Sequence, residues 1–219
     1  MLGLPNQRME DLVDSLEKII NLQPKHISVY SLIVEEGTII HKKIEENLLQ
    51  LPEEDLERNM YWTTKDILEK NGYMHYEISN FAKKTYESKH NLNCWNQEEY
   101  IGVGIAAHSY IQNIRWCNTG NLEEYIEKIK NVKYQEIKEI LEIQNIEEKQ
   151  KEFMILGLRK INGINKEVFK EKFNEEISKK FGEQLKQLKN MDLIEENEKL
   201  IKLTNKGLDF ANIVWEEFI

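Results

Sequence analysis

The chain has 219 residues, with 30 Lys and Arg against 39 Asp and Glu, a net charge of −9 and a mean hydropathy of −0.62. This acidic balance argues against a nucleic-acid binder, since phosphate contacts demand Lys and Arg. No apolar run reaches the length of a membrane span, and MLGLPNQRMEDL at the N-terminus lacks the basic and then apolar pattern of a secretion signal. The length allows one or two domains with a real core. The two cysteines, Cys94 and Cys117, match no zinc or iron–sulfur spacing and read as reduced thiols of a cytosolic protein.

In chain order, Gly3-Leu4-Pro5-Asn6-Gln7 is turn chemistry. Met9, Leu12, Leu16, Ile19 and Ile20 then recur at helical spacing, which predicts an amphipathic helix over 8–22 that ends before Pro24. HISVYSLI, residues 26–33, is short, β-branched and apolar, and reads as a buried strand. Turn, helix and buried strand make an α/β unit whose opening strand is reduced to Met1-Leu2, so the chain is expected to start inside a larger α/β domain. A second helix is predicted over 53–71, with Pro52 before it and Asn71-Gly72 as its stop. Residues 73–81 alternate and read as one strand, and 83–88 as a polar loop. Residues 108–118 read as a hairpin with Gln112-Asn113 near its tip, 123–130 as a helix, and 131–145 as a charged connector between domains. Beyond it, helices are predicted over 147–160 (Phe153, Leu156 and Leu158 inward), 165–173 and 176–190 (Phe181, Leu185 and Leu188 on one face). A hairpin of 193–194 and 200–203 follows, and then one last helix capped by Thr204, carrying Leu208, Phe210, Ile213 and Trp215. Three helices, a hairpin and a final helix describe a winged-helix-like domain over 146–219.

The chemistry concentrates in HNLNCWNQEEYIGVGIAAHSY, residues 90–110. Gly102-Val-Gly104-Ile-Ala-Ala107 imitates a dinucleotide loop, but that loop needs a strand before it and a helix after it. A tight turn with close backbone approach fits better. His90, Cys94 and His108 would make a metal set, yet no fourth ligand is evident, and Asn91 and Asn93 disfavour the helix that would align His90 with Cys94. An axial histidine beside aromatic residues is the minimum for a porphyrin site, and His90, Trp95, Tyr100 and Tyr110 could supply it. The same His90 could equally be a satisfied core histidine. In the predicted third helix of the C-terminal domain, Lys179, Lys180, Lys186 and Lys189 could face DNA, but Glu175, Glu176 and Glu183 lie among them.

Taken together, GLPNQ, HISVYSLIVEEGT at 26–38, YEISNFA at 76–82, HNLNCW, GVGIAAHSY, GLR at 157–159 and LTNKG at 203–207 resemble one family in order and spacing. It is that of the radical-SAM proteins akin to oxygen-independent coproporphyrinogen III oxidase, and within it the HemW-type heme chaperones. The resemblance implies an α/β fold: over 1–130 the C-terminal remnant of a partial (β/α)6 radical-SAM barrel with a β-rich cap, and over 146–219 an accessory winged-helix-like domain. The family's C-x-x-x-C-x-x-C loop, which holds a 4Fe–4S cluster capped by SAM, is missing here, so the chain resembles the C-terminal portion only. Met1 then looks like an internal residue of a barrel strand, and radical chemistry by the chain alone is not expected. Tyr30, Ser31 and Leu32 would lie at the strand end that faces SAM in the complete protein.

His90, Asn91 and Trp95 match the H-N-x-x-Y-W motif that the resemblance links to heme, with His90 as the iron ligand. Cys94 replaces the motif's tyrosine, as a soft ligand or as the mark of a weakened site. His108 and Ser109 fall in the family's A-H-S-Y string, with loop support as their expected role. The implied partners are heme or porphyrin, the missing N-terminal half and a heme-receiving client, in the cytoplasm, with no nucleic acid and no membrane span. Two other readings stay open: part of a true coproporphyrinogen oxidase in porphyrin synthesis, and a winged-helix binding module.

Overall fold

A computed structural model describes residues 1–219, which form two compact units, Met1–Ser88 and Lys89–Ile219. In the first, helix α1 (Met9–Asn21) starts on a reciprocal contact: the Arg8 side chain pairs with Asp11, whose carboxylate also accepts from the Arg8 backbone N–H at 3.0 Å. Its stripe buries Leu12 and Leu16. Strand β1 is only His26–Ser28, shorter than the run 26–33 suggests. Ile27 is buried, but Tyr30 and Ile33 are 52% and 76% exposed, so apolar composition here does not mean burial. After β1 the chain makes a single parallel bridge between Ser31 and Leu2, where Leu2 N–H donates to Tyr30 O and Leu32 N–H to Leu2 O, both at 2.8 Å.

Helix α2 (Ile39–Glu45), capped by Thr38, buries no side chain, which is why no apolar stripe announces it. Helix α3 (Glu54–Lys70) opens on Glu54, Asp55 and Glu57 and ends at Asn71-Gly72, where Gly72 takes φ +78°. The single strand expected over 73–81 is instead a hairpin, β2 (Met74–Glu77) and β3 (Asn80–Ala82). Buried Glu77 causes the reversal: its Oε1 accepts from Ser79 N–H at 2.9 Å and from the Asn80 amide, an Asx-like closure that alternation cannot reveal. The antiparallel sheet runs β1-β3-β2. Its core gathers Leu12, Leu16, Met60, Leu68, Tyr73 and Phe81, with Leu2.

The second unit opens with α4 (Lys89–Trp95), a helix despite its asparagines. The predicted hairpin is present as β4 (His108–Ile111) and β5 (Ile114–Asn118). Gln112 and Asn113 both take positive φ, +50° and +67°, as a two-residue primed turn requires. Helix α5 (Leu122–Lys130) is capped by Asn121. The expected charged connector carries β6 (Lys138–Ile143), which completes the sheet β4-β5-β6.

The C-terminal stretch follows the order α6 (Ile146–Gly157), β7 (Ile164–Asn165), α7 (Lys166–Phe173), α8 (Ile177–Asn190), β8 (Ile194–Glu196), β9 (Leu200–Leu203), α9 (Asn205–Asp209) and α10 (Ala211–Glu216). Asn145 and Glu148 form a capping box on α6. The three short strands pair antiparallel in the order β7-β9-β8. The single last helix of the sequence reading is broken at Phe210 (φ −118°, ψ 36°), so Phe210 and Ile213 are exposed while Ala211, Val214 and Phe218 turn inward. The core is aromatic: Phe169 stands 5.6, 4.7 and 6.3 Å from the rings of Phe153, Phe173 and Phe181, and Phe181 lies 5.3 Å from Phe218. No helix of the chain is long and apolar enough to cross a membrane.

Candidate functional site

Helix α4 organises the site. Packing against α6 and tethers at its C-terminal end override the poor helix propensity of Asn91 and Asn93. Gln97 leaves the helix with φ +56° and is buried. Its Nε2 donates to Lys149 O at 3.0 Å and to the Glu152 carboxylate at 2.9 Å. Lys172 donates to the end carbonyls of Asn96 and Gln97 at 3.2 and 2.8 Å, a cationic cap on the negative end of the helix.

On this helix His90 and Cys94 sit one turn apart on one face, with Nε2 3.9 Å from Sγ. His90 is exposed, which overturns the reading of a satisfied core histidine. The Tyr100 ring meets the imidazole edge-on at 5.8 Å. Tyr100 is in turn fixed by a reciprocal pair of backbone hydrogen bonds to Tyr110, both 2.9 Å. Trp95 is directed elsewhere: Arg159 stacks over it at 4.5 Å and over Trp215 at 5.0 Å. The Trp95 indole N–H has no hydrogen-bond partner. Asn91 is half-buried.

A cavity of about 300 Å³ opens beside this face, lined by Cys94, Trp95, Gln97, Tyr100, Tyr110 and Arg115 among others. Its polar wall is a closed network in which Arg115 donates to Glu142 and Glu152, each at 2.8 Å. Burial works against the Arg115 charge, but the hydrogen bond and attraction of Glu152, helped by Glu142, win and raise its pKa. The Tyr110 hydroxyl donates to Gln144 at 2.9 Å, and burial pushes its pKa up to about 12, so it stays neutral. Burial also raises the Cys94 thiol, against a smaller opposing pull from Arg115. A neutral thiol is a poor metal ligand.

His90 and Cys94, 3.9 Å apart on one helix face, would present the same side of α4 to an incoming ligand. Nowhere do three His, Cys, Asp or Glu converge on a metal position, so a set of His90, Cys94 and His108 is not assembled. The exposed His108 pairs across the hairpin with Cys117. Ser109 is buried, and its Oγ accepts the Gly102 N–H at 3.0 Å, which is loop support. A Cβ on Gly102 would stand 2.2 Å from His108 O. The glycine pair therefore serves close backbone approach, and strand β4 follows where a dinucleotide loop would need a helix.

In the first unit Tyr30, Ser31 and Leu32 lie along the bridge to Leu2, and Ser31 Oγ donates to the Glu57 carboxylate. Two isolated cysteines do not fit a cluster that needs three thiolates, and no step through such a cluster is derived for this chain. On α8, Lys180 and Lys189 are paired with Glu147 and Glu196 at 3.6 and 2.8 Å, which leaves less free charge for a DNA-facing helix. Arg115, Glu142, Glu152 and Gln97 escape sequence reasoning because they join the site from separate elements. Only Arg159 carried a local signal, in the GLR string.

Residues 146–210 match the family described as "HemN C-terminal domain". The "Heme chaperone HemW" of Lactococcus lactis is 39% identical over 217 residues, covering 99% of this chain and 56% of that protein. The "Heme chaperone HemW" of Bacillus subtilis is 38% identical over 221 residues, covering 100% and 57%. This chain thus spans a little over half the length of these curated relatives. Among solved structures, "Coproporphyrinogen III oxidase (HemN) from Escherichia coli is a Radical SAM enzyme" superposes with a TM-score of 0.73 at 18% identity, over 99% of this chain and 53% of that one, a likeness of fold alone.

Proposed function

Because this chain belongs to the HemW-type family, we propose that it is the C-terminal portion of a heme chaperone, and that it contributes heme contact through His90. One observation carries this reading: His90 is an exposed imidazole on a tethered helix, flanked by Tyr100 and beside a cavity with aromatic walls. An exposed nitrogen with no acidic partner is free to meet an iron that arrives with its porphyrin. Trp95 supports α4 from behind through Arg159, and Asn91 flanks His90. Cys94, neutral and on the same face, stays unligated.

The wider reading follows from the family. The parallel bridge of Leu2 to Ser31 supports residues 1–130 as a barrel remnant with a β cap, and Tyr30, Ser31 and Leu32 as its SAM-facing end. The helix–strand–helix–helix–hairpin order supports a winged-helix-like reading of 146–219, with 131–145 leading into it. SAM and the 4Fe–4S cluster belong to the complete protein, and the three thiolates that the cluster needs are not carried by this chain. The complete protein would pass heme to a client in the cytoplasm. The oxidase reading is weaker, because the oxidase likeness is one of fold at 18% identity while the 38–39% relatives carry the chaperone name.

Hemin titration of the purified chain, followed by Soret absorption, tests the proposal. A saturable, red-shifted band that His90→Ala abolishes is expected. Unsaturable absorbance that the substitution leaves unchanged would overturn it.

A further inference from the structure

Also at the α4 end lies a second cavity, of about 320 Å³, lined by Asn96, Glu98, Phe153, Lys160, Asn162 and Asn165 among others. Glu98 lines both this cavity and the one beside Cys94 and Tyr100, so the two adjoin. Lys160, just beyond the C-terminal end of α6, is partly buried, and its ammonium has one polar partner, the side-chain oxygen of Asn96. No carboxylate pairs with it. The nearest comparable lysine, Lys172, caps α4 and meets Glu98 at 3.9 Å, so the available acid is drawn to the neighbour.

An ammonium held partly out of water without a counter-charge is costly, and the usual remedy is a paired anion. Burial and the nearby Lys172 both lower the Lys160 pKa, in keeping with that deficit. The exposed Asn162 adds an amide at the cavity rim.

We propose that Lys160 is a carboxylate-recognising residue that receives a propionate of the tetrapyrrole whose iron His90 meets. This deepens the heme reading and rests on it. The carboxylate supplies the counter-charge that Lys160 lacks, and the cavity between Phe153 and Asn162 takes the arm that carries it. A tetrapyrrole with free acid groups is thereby preferred over one with masked acids.

The test compares hemin with hemin dimethyl ester on the purified chain and on Lys160→Met, together with the thermal midpoint of each protein without ligand. The wild type is expected to bind hemin roughly tenfold more tightly than the ester, the size of one charge-assisted contact. Lys160→Met should erase that preference by weakening hemin alone, and should raise the ligand-free midpoint, because a partly buried charge without a counter-charge is gone. Equal affinities for hemin and ester in the wild type would overturn the proposal and leave the heme reading intact. So would a Lys160→Met protein that keeps the preference, or one that loses midpoint because Lys160 merely tethers Asn96. Absence of saturable binding of either ligand by the wild type would overturn the heme reading and this proposal with it.

Discussion

The two ends of the chain solve the problem of burial differently. Residues 1–88 pack α1 and α3 on a three-stranded sheet over an aliphatic core of Leu12, Leu16, Met60 and Leu68. They leave Met1, Tyr30, Ile33, Ile39 and Leu48 more than half exposed, and their parallel pairing is one bridge at Leu2. Residues 146–219 close on themselves around five phenylalanines, and each short strand finds an antiparallel partner. The first region leaves apolar side chains exposed along its one parallel bridge, whereas the second buries its aromatic rings against one another. Helix α4 with its site residues belongs to the same compact unit as the closed core.

This contrast can be broken by substitution, and the largest effect is expected in the aromatic core. Phe169 is fully buried among three other rings, so Phe169→Ala should cost about 3–5 kcal/mol in urea unfolding and loosen 146–219. A cost under about 1 kcal/mol, the level of a surface change, would refute the tight aromatic packing. Next is Gly102→Ala, which drives a methyl toward His108 O and should cost about 1–3 kcal/mol through backbone displacement next to the site.

In the first unit acidity is the sharper probe. His75 is buried, stacks on Phe81 at 4.4 Å and keeps its ring between Tyr61 and Ile78 O. Burial lowers its pKa below the ordinary 6.5, only partly offset by the Ile78 carbonyl. The unfolded chain then binds the proton first, so stability should fall as pH drops below about 6.5 and stay flat above it. His75→Phe should remove the dependence that this group contributes. An unchanged acid limb would contradict the burial argument. The smallest effect is a gain: Gly182 follows the break in α8 at Phe181 (φ −123°, ψ 25°), with open space where a Cβ would be, so Gly182→Ala should stabilise by about 0.5 kcal/mol.

What was legible in the sequence follows from where local pattern and final burial agree. The helices 147–160, 165–173 and 176–190 and the hairpin 108–118 were readable, because their apolar spacing and turn residues serve the same core that they finally form. Other elements were not. HISVYSLI reads as buried, yet its second half is exposed because its one partner is Leu2. The reversal at Glu77 depends on a side-chain closure, and β6 sits in a charged stretch whose side chains are nearly all exposed on an edge strand. In the site, the His90 motif was visible as a string. Its exposure, the direction of Trp95 toward Arg159 and the Arg115–Glu152 wall arise only when residues distant in sequence meet.

The most direct test of the central claim is chemical rescue at position 90. His90→Gly is titrated with hemin, with and without added imidazole, and the axial ligand is read from the electronic spectrum. If His90 is the iron ligand, His90→Gly loses the histidine-ligated spectrum and imidazole restores it in the bound protein, while Cys94→Ser leaves it unchanged. A spectrum that persists in His90→Gly, or one that disappears in Cys94→Ser, would contradict the account.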